Sequence, residues 1–446
     1  MLNSRHLAAS LFMAGGLTVS APTVAADFQA GAGRADIALP ATLFPIDGFT
    51  AQHDPLAVRV LVMDDGRQRV AVVVVDQTSL GDANIAAMKA IVTEVAGVAA
   101  DNIVVCASHG FSAPHATPPQ FTPPELKDKV ATLSAAINAA VRTAAGDAKS
   151  HLQPAKVGFG SGISRVGVNR DVPTPFGWWL GGNDAGYSDP TLALLRFDDA
   201  GGKPIAEVMD YGIQSSVLDF SVDAKGDRQV SSDLAGVATR TLEAHSPGSV
   251  ALFLVGAAAD QAPYLQANRH VVNADGTATR LDIHDAGFDL LTLQGERLAQ
   301  DAQNTAVAAE AGAPTLEVVR KTLDLPTQTG VTVGPPPKAP VKRVGLQPGP
   351  ATPVPVVFMR IGDTVIVGVR EELSASTGAW VRQHSPFAHT LVVTMADGAA
   401  KYMPEASAYD RFTYEARSSH YARGAAETFA TRVVDLLTAL HAQASR

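Results

Sequence analysis

Four stretches of this 446-residue sequence run from an apolar segment directly into polar side chains. Residues 102–107 lead into Ser108-His109-Gly110-Phe111-Ser112 and then His115. Residues 250–255 lead into Gly256-Ala257-Ala258-Ala259-Asp260-Gln261. Residues 365–369 lead into Arg370-Glu371-Glu372, and the segment closing at Met395 leads into Asp397 and Tyr402. A strand that stops abruptly at a polar loop is how α/β folds place ligand-binding groups. Neutral imidazole is the commonest protein ligand for zinc, and His109 could fill that role, with His115 close behind. Asp260 and Gln261 follow small residues that let backbone approach a ligand closely. Each also has a plain structural reading: a hydrogen-bonded loop histidine, a turn capped by Asp260, carboxylates of Glu371 and Glu372 that complement a helix dipole, and a packed Tyr402.

Motifs that would settle the chemistry alone are missing. The sequence has no Gly-x-Ser-x-Gly elbow, no Ser-x-x-Lys, no His-Glu-x-x-His and no phosphate-binding glycine loop after a strand.

The elements that must position these residues alternate between Val/Ile-rich and Ala-rich segments, the signature of an α/β architecture. Strands are predicted over residues 58–63 and 69–75 across the turn Asp64-Asp65-Gly66, over 102–107, and over 192–197 and 205–211, 250–255, 356–361, 364–369 and 390–395. Helices are predicted over 84–95 with Asp82 as N-cap, and over 126–145, 234–245, 372–383 and 425–442. Residues 158–187 read as irregular, and the Pro- and Gly-dense residues 325–355 as an extended loop.

Residues 1–26 carry Arg5 and His6, an apolar run and then Ala25-Ala26, the pattern of a cleaved secretory leader, so the expected location is periplasmic or secreted. Residues 27–446 then form the catalytic region. No later segment offers the roughly 20 uncharged apolar residues a membrane span needs. With a net charge of −9 there is no electrostatic footprint for nucleic acid. Cys106 is the single cysteine, so no intrachain disulfide can form, and its apolar neighbours predict a buried, inert thiol.

Taken in order, these junctions resemble the neutral, non-lysosomal ceramidase family over nearly all of residues 27–446. The resemblance rests on Gly31-Ala32-Gly33-Arg34-Ala35-Asp36-Ile37, Asp76, Val168-Asn169-Arg170, Asp189-Pro190-Thr191 with Leu195-Arg196-Phe197, and Ser232-Asp233. It continues through Gly256-Ala257-Ala258 with Asp260-Gln261 and Pro263, Ser385-Pro386-Phe387 with His389-Thr390, Tyr402 with Pro404, and Tyr414-Glu415. It implies a mixed α/β catalytic domain, with mixed sheets flanked by helices, and an amide hydrolase whose zinc holds a water on two His, one Glu and one Tyr; the family's trailing β-rich domain is not expected here. Carried over, His109, Glu372 and Tyr402 are the metal ligands.

Three positions depart from the family pattern. Phe111 stands where a second active-site His is usual, Gln214 stands where the second imidazole ligand is usual, and Ala262 replaces a Ser in the Asp260 loop. An amide is a poor zinc ligand beside imidazole. The expectation is therefore a hydrolase with a rewritten pocket, acting on an amide or related bond of a non-ceramide small molecule, lipid or glycan. His115, Asp260 and Glu372 are its catalytic candidates, and Asn169, Arg170, Gln214 and Gln261 its substrate contacts. The pair Trp178-Trp179 could line an apolar or sugar-stacking entrance, or simply pack. Two alternatives remain beside it: a metal-free, glycosidase-like carboxylate pair of Asp260 with Glu372, and a catalytically silent glycan- or lipid-binding protein.

Overall fold

The computed structural model describes residues 28–118, 120–310, 312–329, 339–340 and 346–444, so the leader expected at 1–26 lies outside the described residues. Two sheets stack face to face. The larger, nine-stranded and mixed, runs Val250–Val255, Pro204–Tyr211, Thr191–Asp199, Gln153–Ile163, Gln29–Asp36, Ala57–Asp64, Arg69–Val75 and Ile103–Ala107, with Ala308–Ala309 paired to Gln153–Ile163. The smaller runs Leu316–Thr329, Gln347–Ile361, Thr364–Val369 and His389–Val393.

Strand periodicity decides which layer each side chain joins. In Ala57–Asp64 and Arg69–Val75, Val58, Val60, Val62, Val73 and Val75 point to one face. That face is covered by helices Asp82–Ala96 and Lys127–Ser150 through Ile85, Met88, Val92, Leu133, Ile137 and Val141. Leu61, Met63, Val72 and Val74 point the other way, into the inter-sheet core with Val357, Met359, Ile366, Leu391 and Val393 of the second sheet. Burial on both faces explains why these strands read as continuous apolar runs. Helices Asp233–His245 and Ala286–Gln303 cover the Val250–Val255 end of the large sheet, and Ala375–His384 and Ala425–Ala444 cover the outer face of the small one. The arrangement is therefore helix, sheet, sheet, helix. Gly31 and Gly33 let the first strand approach Lys127–Ser150: a Cβ at either position would lie 2.2 Å from Ala148 O or Ala144 O.

Several elements differ from the sequence reading. Residues 158–187 are not irregular: they complete Gln153–Ile163 and form the hairpin Gly167–Thr174 with Gly177–Asn183. Glycines 158, 160 and 162 suppress the strand signal there, yet they are needed because the strand passes against Thr305 to Ala308. The ends of the expected loop 325–355 are strand, with Leu325 opposite Thr352 and a register shift before Thr327. Before Val356 the Gln347–Ile361 strand is paired on one side only, which is where prolines are tolerated. The predicted helix over 372–383 begins later, at Ala375; Glu372–Leu373 is instead a short strand beside Tyr402–Met403. Glu371 and Glu372 therefore do not cap a helix. Asp82 is the first helical residue and Gly81 the cap. Helix Ala286–Gln303 had no counterpart in the reading.

Cys106 is buried, and burial drives its thiol far above the ordinary range, so it is inert. Among the described residues no helix is long and apolar enough to cross a membrane.

Candidate active site

The loop after Ile103–Ala107 is tied to the end of Arg69–Val75 by Ser108 N–H to Val75 O (2.9 Å) and Gly110 N–H to Gln77 O (3.2 Å). This turn puts His109 in the left-handed region at φ 56°, with Nδ1 2.7 Å from Thr78 O. A carbonyl only accepts, so Nδ1 carries the proton and Nε2 is the atom presented to Glu372 Oε2, 3.2 Å away. Glu372 is fixed from behind by its own N–H to Lys401 O (3.0 Å) and by parallel pairing with Tyr402.

Gln214 follows the strand Pro204–Tyr211, in a loop bridged to the His109 loop by Phe111 N–H to Ser215 O (2.9 Å). Arg170, from the strand Gly167–Thr174, donates from Nη1 to Gln214 Oε1 at 2.7 Å. A guanidinium has no acceptor, so this bond fixes the amide: the oxygen faces Arg170 and Nε2 donates to Glu372 Oε2 at 3.1 Å. Arg170 also pairs with Glu415 (Nε 2.8 Å, Nη2 2.7 Å), and its guanidinium lies 5.3 Å from the Tyr402 ring centroid and 5.7 Å from that of Tyr414. The structure thus brings His109, Glu372, Gln214, Arg170 and Tyr402 into one buried cluster.

Burial alone would raise the Glu372 carboxyl, but His109, Arg170 and Lys401 overcome it and hold the group below its usual range. Burial and then the Glu372 charge push the Tyr402 phenol upward. Asp171 is raised well above the usual carboxylate range, first by burial and then by the neighbouring charge of Glu415. Above the cluster lies a cleft of about 160 Å³. Phe111, Arg170, Gln214, Tyr402 and Tyr414 line its floor and walls, while Arg280 and His270 stand at one side. His109 and Glu372 sit behind the Gln214 amide and do not line the cleft.

Zinc takes the kinds of atom that His109, Glu372 and Tyr402 offer. In a neutral imidazole with Nδ1 protonated, the Nε2 lone pair faces a carboxylate oxygen, an arrangement that a cation or a second proton between them stabilises. Gln214 does not fit the set, because Arg170 holds its –NH2 rather than its oxygen toward Glu372. Among the described residues no group of three or more His, Cys, Asp and Glu side chains could hold an ion.

The other expected site residues lie elsewhere. His115 is half exposed and pairs with Asp47, so its exposed loop keeps it apart from the cluster. Asp260 and Glu372 do not form a carboxylate pair. Asp260 accepts from Ala375 N–H (2.8 Å) and Asn169 Nδ2 (3.2 Å), whereas Glu372 bonds His109 and Gln214. Asn169 and Gln261 both donate to Tyr187 O. Neither indole of Trp178-Trp179 lines the cleft: Trp179 is buried against His270, Tyr414 and Arg417, and Arg411 covers Trp178. The sequence reading gave no chemical role to Glu415, Asp171, Arg280 or His270. Asp171 and Glu415 had one local signal, as acids beside arginine or tyrosine in otherwise packed segments.

Two stacked mixed sheets with helices outside, and strand-end loops converging on a buried polar cluster, define the class: this is the fold of the neutral ceramidases. The chain is similar to the neutral ceramidase from Pseudomonas aeruginosa, with a TM-score of 0.71 and 20% identity over 94% of this chain and 75% of that one. It is likewise similar to a ceramidase complexed with C2, with a TM-score of 0.69 and 18% identity over 94% of this chain and 76% of that one. No protein-family model and no curated protein matches the sequence.

Proposed function

We propose that this protein is a hydrolase of an amide or related acyl bond in a short polar substrate, with the reaction centred on the cleft over Gln214. The observation that carries the reading is the chain Arg170–Gln214–Glu372–His109 beneath that cleft, in a fold shared with amide-cleaving enzymes. Glu372, kept ionised, is the proton acceptor, and His109 beside it holds the abstracted proton in reach. Arg170 and Tyr402 on the cleft floor face the place where a carbonyl oxygen gathers negative charge. Zinc, on His109, Glu372 and Tyr402, is part of this proposal; when bound it would supply a water with its pKa lowered to roughly 7. Hydrolysis of this kind, with the leader expected at residues 1–26, belongs to the periplasm or the exterior.

The cleft alone takes a short group, and at Gly181 and His270 it adjoins two further cavities of about 410 and 650 Å³. At roughly 30 Å³ per water, a 160 Å³ cleft holds the equivalent of about five waters, below the roughly 300 Å³ at which drug-sized ligand pockets begin.

The test pairs metal analysis of the purified protein with hydrolysis of short N-acyl amides and esters by wild type and Glu372→Gln. A rate loss of about 100-fold or more in the variant is expected. Equal rates would refute the assignment. A silent binding protein is the second reading, favoured by the fact that His109 and Glu372 do not line the cleft. Tight binding of those amides without turnover in either protein would select it.

A further inference from the structure

The strand Gly167–Thr174 is a wall between two cavities. Successive strand residues face opposite ways, so Arg170 lines the cleft described above while its neighbour Asn169 lines a separate cavity of about 620 Å³. That volume lies within the roughly 300–1,000 Å³ of small-molecule sites.

Two helices build its far side. Ala375–His384 presents Ser376, Thr377 and Trp380, and Ala425–Ala444 presents Ala426, Glu427, Ala430 and Thr431. Both sets have the i, i+3 or i, i+4 spacing of one helix face, and the two alanines leave the space that larger residues would fill. Trp380 stacks one indole face on His384, with ring centroids 4.0 Å apart, and keeps 36% of its surface exposed.

The charge of the lining is one-sided. Glu405 and Glu427 contribute two carboxylates, and Asp260 a third carboxyl, against the single guanidinium of Arg411, which is already committed to Glu405 Oε1 at 2.5 Å. Glu405 Oε2 is buried and has no hydrogen-bond partner. Asp260 is itself 4% exposed at the inner end, and it uses both oxygens on Ala375 N–H and Asn169. A buried acceptor without a donor is costly, and an ammonium group supplies three donors and a positive charge.

We propose that this cavity is a second binding site, for a small hydroxylated primary amine in its ammonium form, with the ammonium at Glu405 and Glu427, the carbon skeleton on Trp380 and the hydroxyls on Ser376 and Thr377. Indole faces attract cations and pack against sugar-like rings, so one residue serves both parts of such a ligand. The site stands apart from the hydrolytic cluster and does not depend on the reading given to it.

Titration calorimetry on the full chain at pH 7 tests the assignment with glucosamine as probe, and with glucose and N-acetylglucosamine as forms lacking the charge. Glucosamine is expected to bind at least tenfold more tightly than either neutral sugar, and Trp380→Ala and Glu427→Gln are each expected to weaken it at least tenfold. Both positions lie on helix surfaces, and matching circular dichroism of the variants establishes that they fold. Absence of glucosamine binding at 10 mM, equal binding of N-acetylglucosamine, or unchanged affinity in Trp380→Ala would each overturn the proposal.

Discussion

Asp260 offers a measurement in which sign and size both follow from structure. Its carboxyl is raised from 3.8 to about 7, first by burial and then by the neighbouring charge of Glu405. A folded-state pKa above the unfolded one means that the fold prefers the neutral acid. The stability Asp260 contributes is therefore fully present below about pH 4 and is lost as pH rises toward 7. At about 1.4 kcal/mol per unit the whole shift amounts to roughly 4 kcal/mol, of which rather more than half falls between pH 5 and pH 8. Asp260→Asn removes this titration. It also loses one acceptor, since Ala375 N–H and Asn169 Nδ2 both donate to the carboxyl, at a cost of about 1–3 kcal/mol that does not vary with pH. Urea unfolding at the two pH values then has a defined outcome. Whatever the offset at pH 5, the variant gains on wild type by roughly 2–3 kcal/mol between pH 5 and pH 8. Asp210 and Glu371, each also pushed to about 7, are common to both proteins and cancel. A difference between variant and wild type that stays constant within about 0.5 kcal/mol across the range would refute the assignment of a raised Asp260.

Arg170→Met leaves Glu415, 1% exposed, without its cation, and the expected cost is about 3–5 kcal/mol in chemical denaturation; a loss under about 1 kcal/mol would mean that the ion pair is not formed. Gln214→His places an imidazole where an amide now donates to Glu372, and zinc titration with a competing chelator should show at least a tenfold gain in affinity, whereas an unchanged constant would place any bound ion elsewhere. Cys106 should stay unmodified by a thiol reagent in the native protein and react fully in urea, and native labelling within minutes would contradict its burial.

How far the fold was legible depends on whether its signals were local. Residues 250–255 and 364–369 read as strands because apolar β-branched runs buried on both faces leave little else possible, and the structure places Val250–Val255 and Thr364–Val369 at those bounds. The Gly- and Pro-rich strands failed because their partners lie far along the chain. Gly162 is needed only because Thr305 passes beside it, and the prolines after Gln347 are tolerated only because that end of the strand has one neighbour. The late start of the helix at Ala375 has the same origin, since Glu372–Leu373 is held extended by Tyr402–Met403, about thirty residues on. In the site, His109, Glu372 and Tyr402 could be singled out one by one from strand-end loops and the family resemblance. That Arg170 would fix the orientation of Gln214 could not, because it needs four segments in contact.

That orientation bears on the expectation that Gln214 stands in place of a metal ligand. A metal site that had merely eroded would leave a buried carboxylate without compensation, and desolvation would then drive Glu372 above the ordinary range. The opposite holds: Glu372 lies below it, with His109 in contact, Gln214 donating, and the Arg170 and Lys401 charges nearby. Arg170 is balanced in turn by Glu415, while burial and the Glu415 charge push Asp171 toward its neutral form. Every charge in the cluster thus has a partner within this chain. Such closed networks are costly to break at any one member, so the glutamine is an integral member of this polar core, whichever ligand the resemblance would put in its place.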